Sequence, residues 1–171
     1  MSRPVPSSGG EDRSRRYRQG FAVDRAIDIL RQHGQSQGLV NAGGDLAVFG
    51  PVPEAVHVRH PRFPEQILCQ VAITNAALAS SGHLFNPLDA IAGFTTTAVN
   101  PATREFISGI AGATVRASSC MLADALTKVV MIAGERSAAV LAQCQASALV
   151  VLACGEVRIT PEWQDGICAA A

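Results

Sequence analysis

Asp124, Thr127 and Lys128 place a carboxylate, a hydroxyl and an ammonium in one apolar segment, residues 120–134. A buried carboxylate is costly unless it pairs with a cation or holds a metal ion, so Asp124 is the first candidate for chemistry. Two interpretations stay open. Asp124 ligates a divalent cation with a nearby hydroxyl, or it forms an ordinary i, i+4 salt bridge with Lys128, the single lysine of the chain.

The elements that must position these groups can be read from the pattern around them. Residues 120–134 are predicted to form a buried helix, capped by Ser118 or Ser119 and ended by Gly134. Its apolar side chains recur at i, i+3, i+4 and i+7, as in a buried stripe. A second helix is expected over residues 21–33 and a third over 137–145.

Strand patterns fill most of the remaining sequence. Two short β-rich runs flank Gly43, Gly44 and Asp45, which predicts a hairpin. Residues 74–82 are small and polar, and they are predicted to form a packed turn. Further strands are expected at residues 56–59, 67–73, 95–99, 113–117, 149–153 and 157–160. Short connections between them favour an α+β fold, a largely antiparallel sheet packed with two or three helices.

Composition narrows the function classes. The 171 residues are 48% hydrophobic and carry no net charge, which favours one globular domain and disfavours nucleic acid as a partner. No apolar run reaches the length of a transmembrane segment. The five cysteines form no C-x-x-C pair and fit a reducing compartment. We expect a disordered basic tail at 1–19, a domain at 20–171, and no signal peptide, hence a cytoplasmic location.

Five motifs, in order along the chain, resemble those of the ApbE family. Residues 19–26 (Gln-Gly-Phe-Ala-Val-Asp-Arg-Ala) are similar to the family's Lys-Gly-Tyr-Ala-Val-Asp helix start, and residues 39–45 to its Asn-x-Gly-Gly-Asp loop. Residues 77–82 resemble its Ala-x-Ala-Thr-Ser-Gly turn, and residues 100–103 the end of its His-x-x-Asp-Pro-x-Thr-Gly strand. Residues 123–127 resemble its Ala-Asp-Ala-Leu helix. The resemblance covers residues 20 to about 160, nearly all of the chain that is expected to be ordered.

The resemblance implies a FAD:protein FMN transferase. Such enzymes split FAD with magnesium, release AMP and esterify FMN to a threonine or serine hydroxyl of a target protein. The residues implied to contact the flavin nucleotide are Gly43, Gly44, Asp45 and Ser81. The residues implied to hold Mg²⁺ are Asp124, Thr127 and the backbone carbonyl of Arg18. These residue types suit the implied reaction, because a pyrophosphate needs charge neutralisation and Mg²⁺ prefers hard oxygen ligands.

Departures from the family pattern leave activity open. The family's lysine is Gln19 here, its histidine is Thr97, and its aspartate before the proline is Asn100. Its metal-binding threonine lies four residues after the aspartate, where this chain has Lys128; Thr127 is one residue early. Lys128 either fills the magnesium position and abolishes catalysis, or points at the phosphates while Thr127 still ligates the metal.

The resemblance implies an N-terminal portion that the matched segments do not include. We expect either a fragment of a longer chain, a shortened relative with an incomplete ligand site, or a partner or oligomer that covers the sheet edge exposed without that portion. If the true start is missing, the protein is expected to be periplasmic or membrane-associated. The alternative to an active transferase is therefore a catalytically impaired relative that binds a flavin nucleotide, or a truncated remnant.

Overall fold

The structure is a computed structural model that describes residues 11–82, 100–101, 104, 107 and 109–168. Its helices are α1 (Glu11–Gln32), α2 (Cys120–Ala133) and α3 (Ala138–Gln143), with 3-10 helices at Gly134–Ser137 and Pro161–Gly166. Its strands are β1 (Gly38–Ala42), β2 (Asp45–Phe49), β3 (Glu54–Arg59), β4 (Ile67–Ile73), β5 (Ala76–Gly82), β6 (Ile110–Ala117), β7 (Ser147–Leu152), β8 (Val157–Ile159) and β9 (Ile167–Cys168).

The strands form two sheets in which all neighbours are antiparallel. The larger sheet has six strands in the order β1-β2-β5-β6-β7-β8, and the smaller has three in the order β3-β4-β9. Three α-helices accompany them in the described part of the chain. The predicted α+β class with a largely antiparallel sheet is therefore confirmed.

The six-stranded sheet is covered on both faces. Helix α2 packs on β5 and β6, and α1 packs on β1, β2 and α2. The core beneath α2 includes Val115, Leu126 and Val130, each at most 3% exposed. A second core lies between the two sheets, where Val71 and Trp163 are almost fully buried. Both cores remove apolar surface from water, which fixes α2 against the middle of the larger sheet.

Helix α1 begins at Glu11, whereas the sequence predicted its start at Phe21 and a disordered tail before it. The added turns contain glutamate, arginine and glutamine, which are good helix formers. At Gly20 the helix meets α2 closely, because an added Cβ would lie 2.9 Å from the carbonyl oxygen of Cys120. No helix among the described residues is long and apolar enough to span a membrane.

The prediction for residues 74–82 was wrong, since Ala76–Gly82 forms β5 in the middle of the larger sheet. Its small residues hide the β pattern, yet Ala77 and Ala79 are fully buried and allow α2 to approach the sheet. The two predicted hairpins, β1–β2 and β7–β8, and the strand at Ile67–Ile73 are confirmed. The strand predicted at 95–99 lies outside the described residues.

Candidate functional site

The β1–β2 hairpin positions the first candidate carboxylate. Gly43 and Gly44 form its two-residue turn with φ values of 65° and 104°, a conformation that favours glycine. The Gly44 N–H also donates to Asn41 Oδ1 at 3.0 Å. The turn places Asp45 at the first position of β2, where the residue is 7% exposed. The glycines therefore act as a hairpin turn and also bring Asp45 to the edge of α2.

Strand β5 supplies two serines beside Asp45. The backbone N–H of Ser80 lies close enough to the Asp45 carboxylate to lower its pKa, and the Ser80 hydroxyl lies 2.9 Å from that of Thr114. On the opposite face of the strand, Ser81 Oγ lies 2.8 Å from Thr127 Oγ1. Thr127 donates its own proton to the Asp124 backbone carbonyl at 2.7 Å. Ser81 must therefore be the donor in the bond between the two hydroxyls.

Helix α2 carries the charged centre. Asp124 is 3% exposed, and its Oδ1 accepts a hydrogen bond from the Lys128 ammonium. The other oxygen, Oδ2, is buried and has no hydrogen-bond partner among the described residues. The i, i+4 salt bridge weighed in the sequence analysis is therefore present. It leaves half of the carboxylate unpaired.

The two carboxylates influence each other electrostatically. Burial raises the pKa of Asp45 to about 6, and the negative charge of Asp124 acts in the same direction. The Lys128 ammonium and the Ser80 N–H oppose this increase. Burial also raises the pKa of Cys120 to about 12, with further contributions from nearby carboxylates, so its thiol is not a nucleophile at neutral pH. We refer to Asp45, Ser81, Asp124, Thr127 and Lys128 as the carboxylate cluster.

The start of the family-like motif lies against the same hairpin. The Gln19 side-chain nitrogen lies 3.3 Å from the position that a Cβ on Gly43 would take. Arg18 precedes it within α1, so its backbone carbonyl is engaged in the regular hydrogen bonding of a helix. The structure thus brings Ser81 into contact with Thr127, and Asp45 within electrostatic range of Asp124 and Lys128. The binding roles of Gly43, Gly44, Asp45 and Ser81, and the metal roles of Asp124, Thr127 and the Arg18 carbonyl, stay predictions.

The residues present do not fit a magnesium ion in this arrangement. Mg²⁺ needs near-octahedral oxygen ligation, and it is usually held by one or two carboxylates together with waters. Here Lys128 occupies one Asp124 oxygen, and the Thr127 hydroxyl bonds to Ser81 and to its own helix. No group of three or more His, Cys, Asp or Glu side chains suited to a metal occurs among the described residues.

Asp24 is a structural contact that the sequence analysis missed. The helical pattern of residues 21–33 predicts a solvent-facing Asp24, yet its carboxylate accepts from the backbone N–H groups of Cys120 at 2.7 Å and Met121 at 2.9 Å. It thereby satisfies donors at the start of α2 and ties α1 to the helix that carries Asp124. The 96 residues that separate Asp24 from Cys120 hide this contact from any local pattern.

A cavity of about 460 Å³ lies elsewhere, between α1, the sheet and the start of α2. It is lined by charged and apolar residues that include Phe21, Arg25, Asn75 and Met121, and by no member of the carboxylate cluster. The same Asp24 contacts take up the helix N–H groups at its wall. An anion would therefore find those donors already occupied.

The chain is similar to one protein family and to several solved structures. The model of the ApbE family matches residues 17–152. The flavinyl transferase ApbE of Pseudomonas stutzeri (apo form) superposes with a TM-score of 0.73 and 22% identity over 92% of this chain and 51% of that one. The ApbE protein of Thermotoga maritima gives 0.72 and 24% over 87% and 51%. The flavin transferase ApbE of Vibrio cholerae gives 0.70 and 21% over 86% and 50%.

These similarities establish the fold, and the chain spans about half the length of the solved structures that it matches. No curated protein is significantly similar to it. The shared half contains the whole carboxylate cluster, since residues 45–128 lie inside the matched range. The resemblance noted in the sequence is thereby confirmed.

Proposed function

Because this chain belongs to the ApbE family, we propose that it acts on flavin nucleotides in the covalent flavinylation of a protein. FAD is the donor, and a threonine or serine hydroxyl of a target protein is the acceptor. The hydroxyl oxygen forms a bond to the phosphorus of the FMN portion, the bond from that phosphorus to the AMP oxygen breaks, and AMP leaves with the electron pair. The hydroxyl proton is released.

The observation that supports this proposal is the convergence of β2, β5 and α2 on the carboxylate cluster. Lys128 contributes a positive charge, while Ser81 and Thr127 contribute hydroxyls, of which that of Ser81 donates to that of Thr127. Phosphoryl transfer depends mainly on neutralising and aligning charge, and hydroxyls and ammonium groups are suited to contact phosphate oxygens. Gly43 and Gly44 expose backbone beside the cluster, where a ligand can approach closely.

Magnesium is the part of the expectation that the residues do not fit. An Mg²⁺ ion would supply positive charge to the pyrophosphate, but Lys128 occupies one oxygen of the carboxylate that would hold it. The Lys128–Asp124 ion pair therefore stands against magnesium binding at Asp124. It favours a second candidate function, a relative that binds a flavin nucleotide without transferring it.

The release of AMP separates the two functions. The chain is incubated with FAD, MgCl₂ and a peptide that contains threonine, and AMP is measured by chromatography while peptide mass reports attached FMN. The transferase proposal predicts both products, and it predicts their loss in Asp124→Asn but not in Asp28→Asn, a control carboxylate on the exposed face of α1. FAD binding without AMP would support the second function. If the protein neither binds FAD nor releases AMP, both proposed functions are contradicted.

A further inference from the structure

The Lys128 ammonium lies beside the buried carboxylate of Asp124, where a metal cation could otherwise bind. The ammonium hydrogen-bonds Asp124 Oδ1, and Asp124 is 4% exposed in its side chain while Lys128 is 30% exposed. The lysine stem therefore brings a positive charge from the partly open side of α2 down to a buried carboxylate. An ammonium is a compact point charge, so it can satisfy a carboxylate oxygen that would otherwise need a metal ion.

The two carboxylates near Lys128 carry more negative charge than its single ammonium can balance. Asp124 Oδ2 is buried without a partner, and Asp45 is close enough for the Asp124 charge to affect it. With both carboxylates ionised, the sum over Asp45, Asp124 and Lys128 is −1, whereas a divalent ion in place of the lysine would neutralise both carboxylates. The cluster thus retains the acidic character of a cation site.

From this geometry we infer that Lys128 occupies the divalent-cation position at Asp124, so that the chain binds no such ion there. The consequence is that one substitution opens the position. Removing the ammonium frees Asp124 Oδ1 beside the unpaired Oδ2, and the Asp45 carboxylate lies near enough to interact electrostatically with Asp124. Carboxylate and hydroxyl oxygens are the ligands that Mg²⁺ and Mn²⁺ prefer. The inference rests on the proposed function for its meaning, but its test needs no flavin.

Manganese binding to the metal-free protein tests the inference directly. Electron paramagnetic resonance measures free Mn²⁺ during titration of the wild type, Lys128→Thr and Lys128→Gln. We expect a Kd above about 1 mM for the wild type. We expect affinity at least about tenfold higher in one or both variants. Asp124→Asn placed on top of either variant should abolish the gain, whereas Lys128→Arg should bind as weakly as the wild type because it keeps the charge.

Two outcomes would overturn the inference. One is a wild-type protein that binds one Mn²⁺ per chain below about 0.1 mM and loses it with Asp124→Asn. The other is a folded Lys128→Thr or Lys128→Gln protein without increased affinity. Circular dichroism identifies which variants fold, and if neither does, the wild type and Lys128→Arg decide the result. Failure of flavin transfer would leave these titrations unchanged, so the two proposals fail separately.

Discussion

Lys128→Met should destabilise the protein because it leaves Asp124 buried with neither oxygen paired. Removing one partner of a fully buried ion pair costs about 3–5 kcal/mol. The Asp124 side chain is 4% exposed but that of Lys128 is 30% exposed, so water reaches one end of the pair. We therefore expect a smaller loss, about 2 kcal/mol in the free energy of unfolding. For a chain of this size, such a loss lowers Tm by about 4–8 °C.

Urea unfolding followed by circular dichroism measures this loss at pH 7 without added metal. The double variant Asp124→Asn/Lys128→Met removes both charges, and it should recover at least about half of the lost stability because no unpaired charge stays buried. Arg25→Met is the matched control, since Arg25 pairs with Asp28 on the surface and its loss should change stability by less than about 0.5 kcal/mol. If Lys128→Met resembles that control, or the double variant is no more stable than the single one, the buried pair does not have the role assigned to it.

Three further substitutions test other contacts. Because its pKa is raised from 3.8 to about 6, Asp45 binds its proton more tightly in the folded state. Its stabilising contribution is complete only below the unfolded pKa of 3.8 and is lost as the pH rises through about 6. Asp45→Asn should thus gain about 2 kcal/mol more at pH 7 than at pH 4 in urea unfolding, and an equal change at both would refute the shift. Gly20→Ala should lower Tm by several degrees because its Cβ would meet the α2 backbone at 2.9 Å. Gly109→Ala is the control, since no described residue lies within 4 Å of the added Cβ, and equal Tm values for the two variants would contradict the close packing. Asp24→Ala should lower the free energy of unfolding in urea by about 1–2 kcal/mol, because two hydrogen bonds to α2 are lost. The control Asp28→Ala should lower it by less than about 0.5 kcal/mol, and similar losses in the two variants would argue against the capping role of Asp24.

Local signals in the sequence predicted most of the fold correctly. The apolar stripe and capping serine of α2 identified that helix, where Ser119 accepts from the N–H of Leu122. The Gly43-Gly44 pair identified the first hairpin. Strand β5 was not predicted because its alanines and serines carry no strand preference. Its place in the sheet is set by burial under α2.

The sequence pointed to the residues of the candidate site but not to the contacts between them. The i, i+4 spacing suggested the pairing of Asp124 with Lys128, yet the spacing alone could not choose between an ion pair and a metal site. The contacts from Ser81 to Thr127 and from Ser80 to Asp45 join residues far apart in the chain, and no local pattern encodes them. Tertiary packing determines whether Asp124 forms an ion pair with Lys128 or binds a metal ion.

A crystal structure of the wild-type chain grown with FAD and MgCl₂ would show directly whether Lys128 or a metal ion lies on Asp124. We expect the flavin nucleotide beside the carboxylate cluster, with the Lys128 ammonium still on Asp124 and no metal ion in contact with that carboxylate. A magnesium ion coordinated by Asp124, with Lys128 turned away, would contradict the assignment of Lys128. FAD bound at a distance from the cluster would contradict the assignment of the site itself.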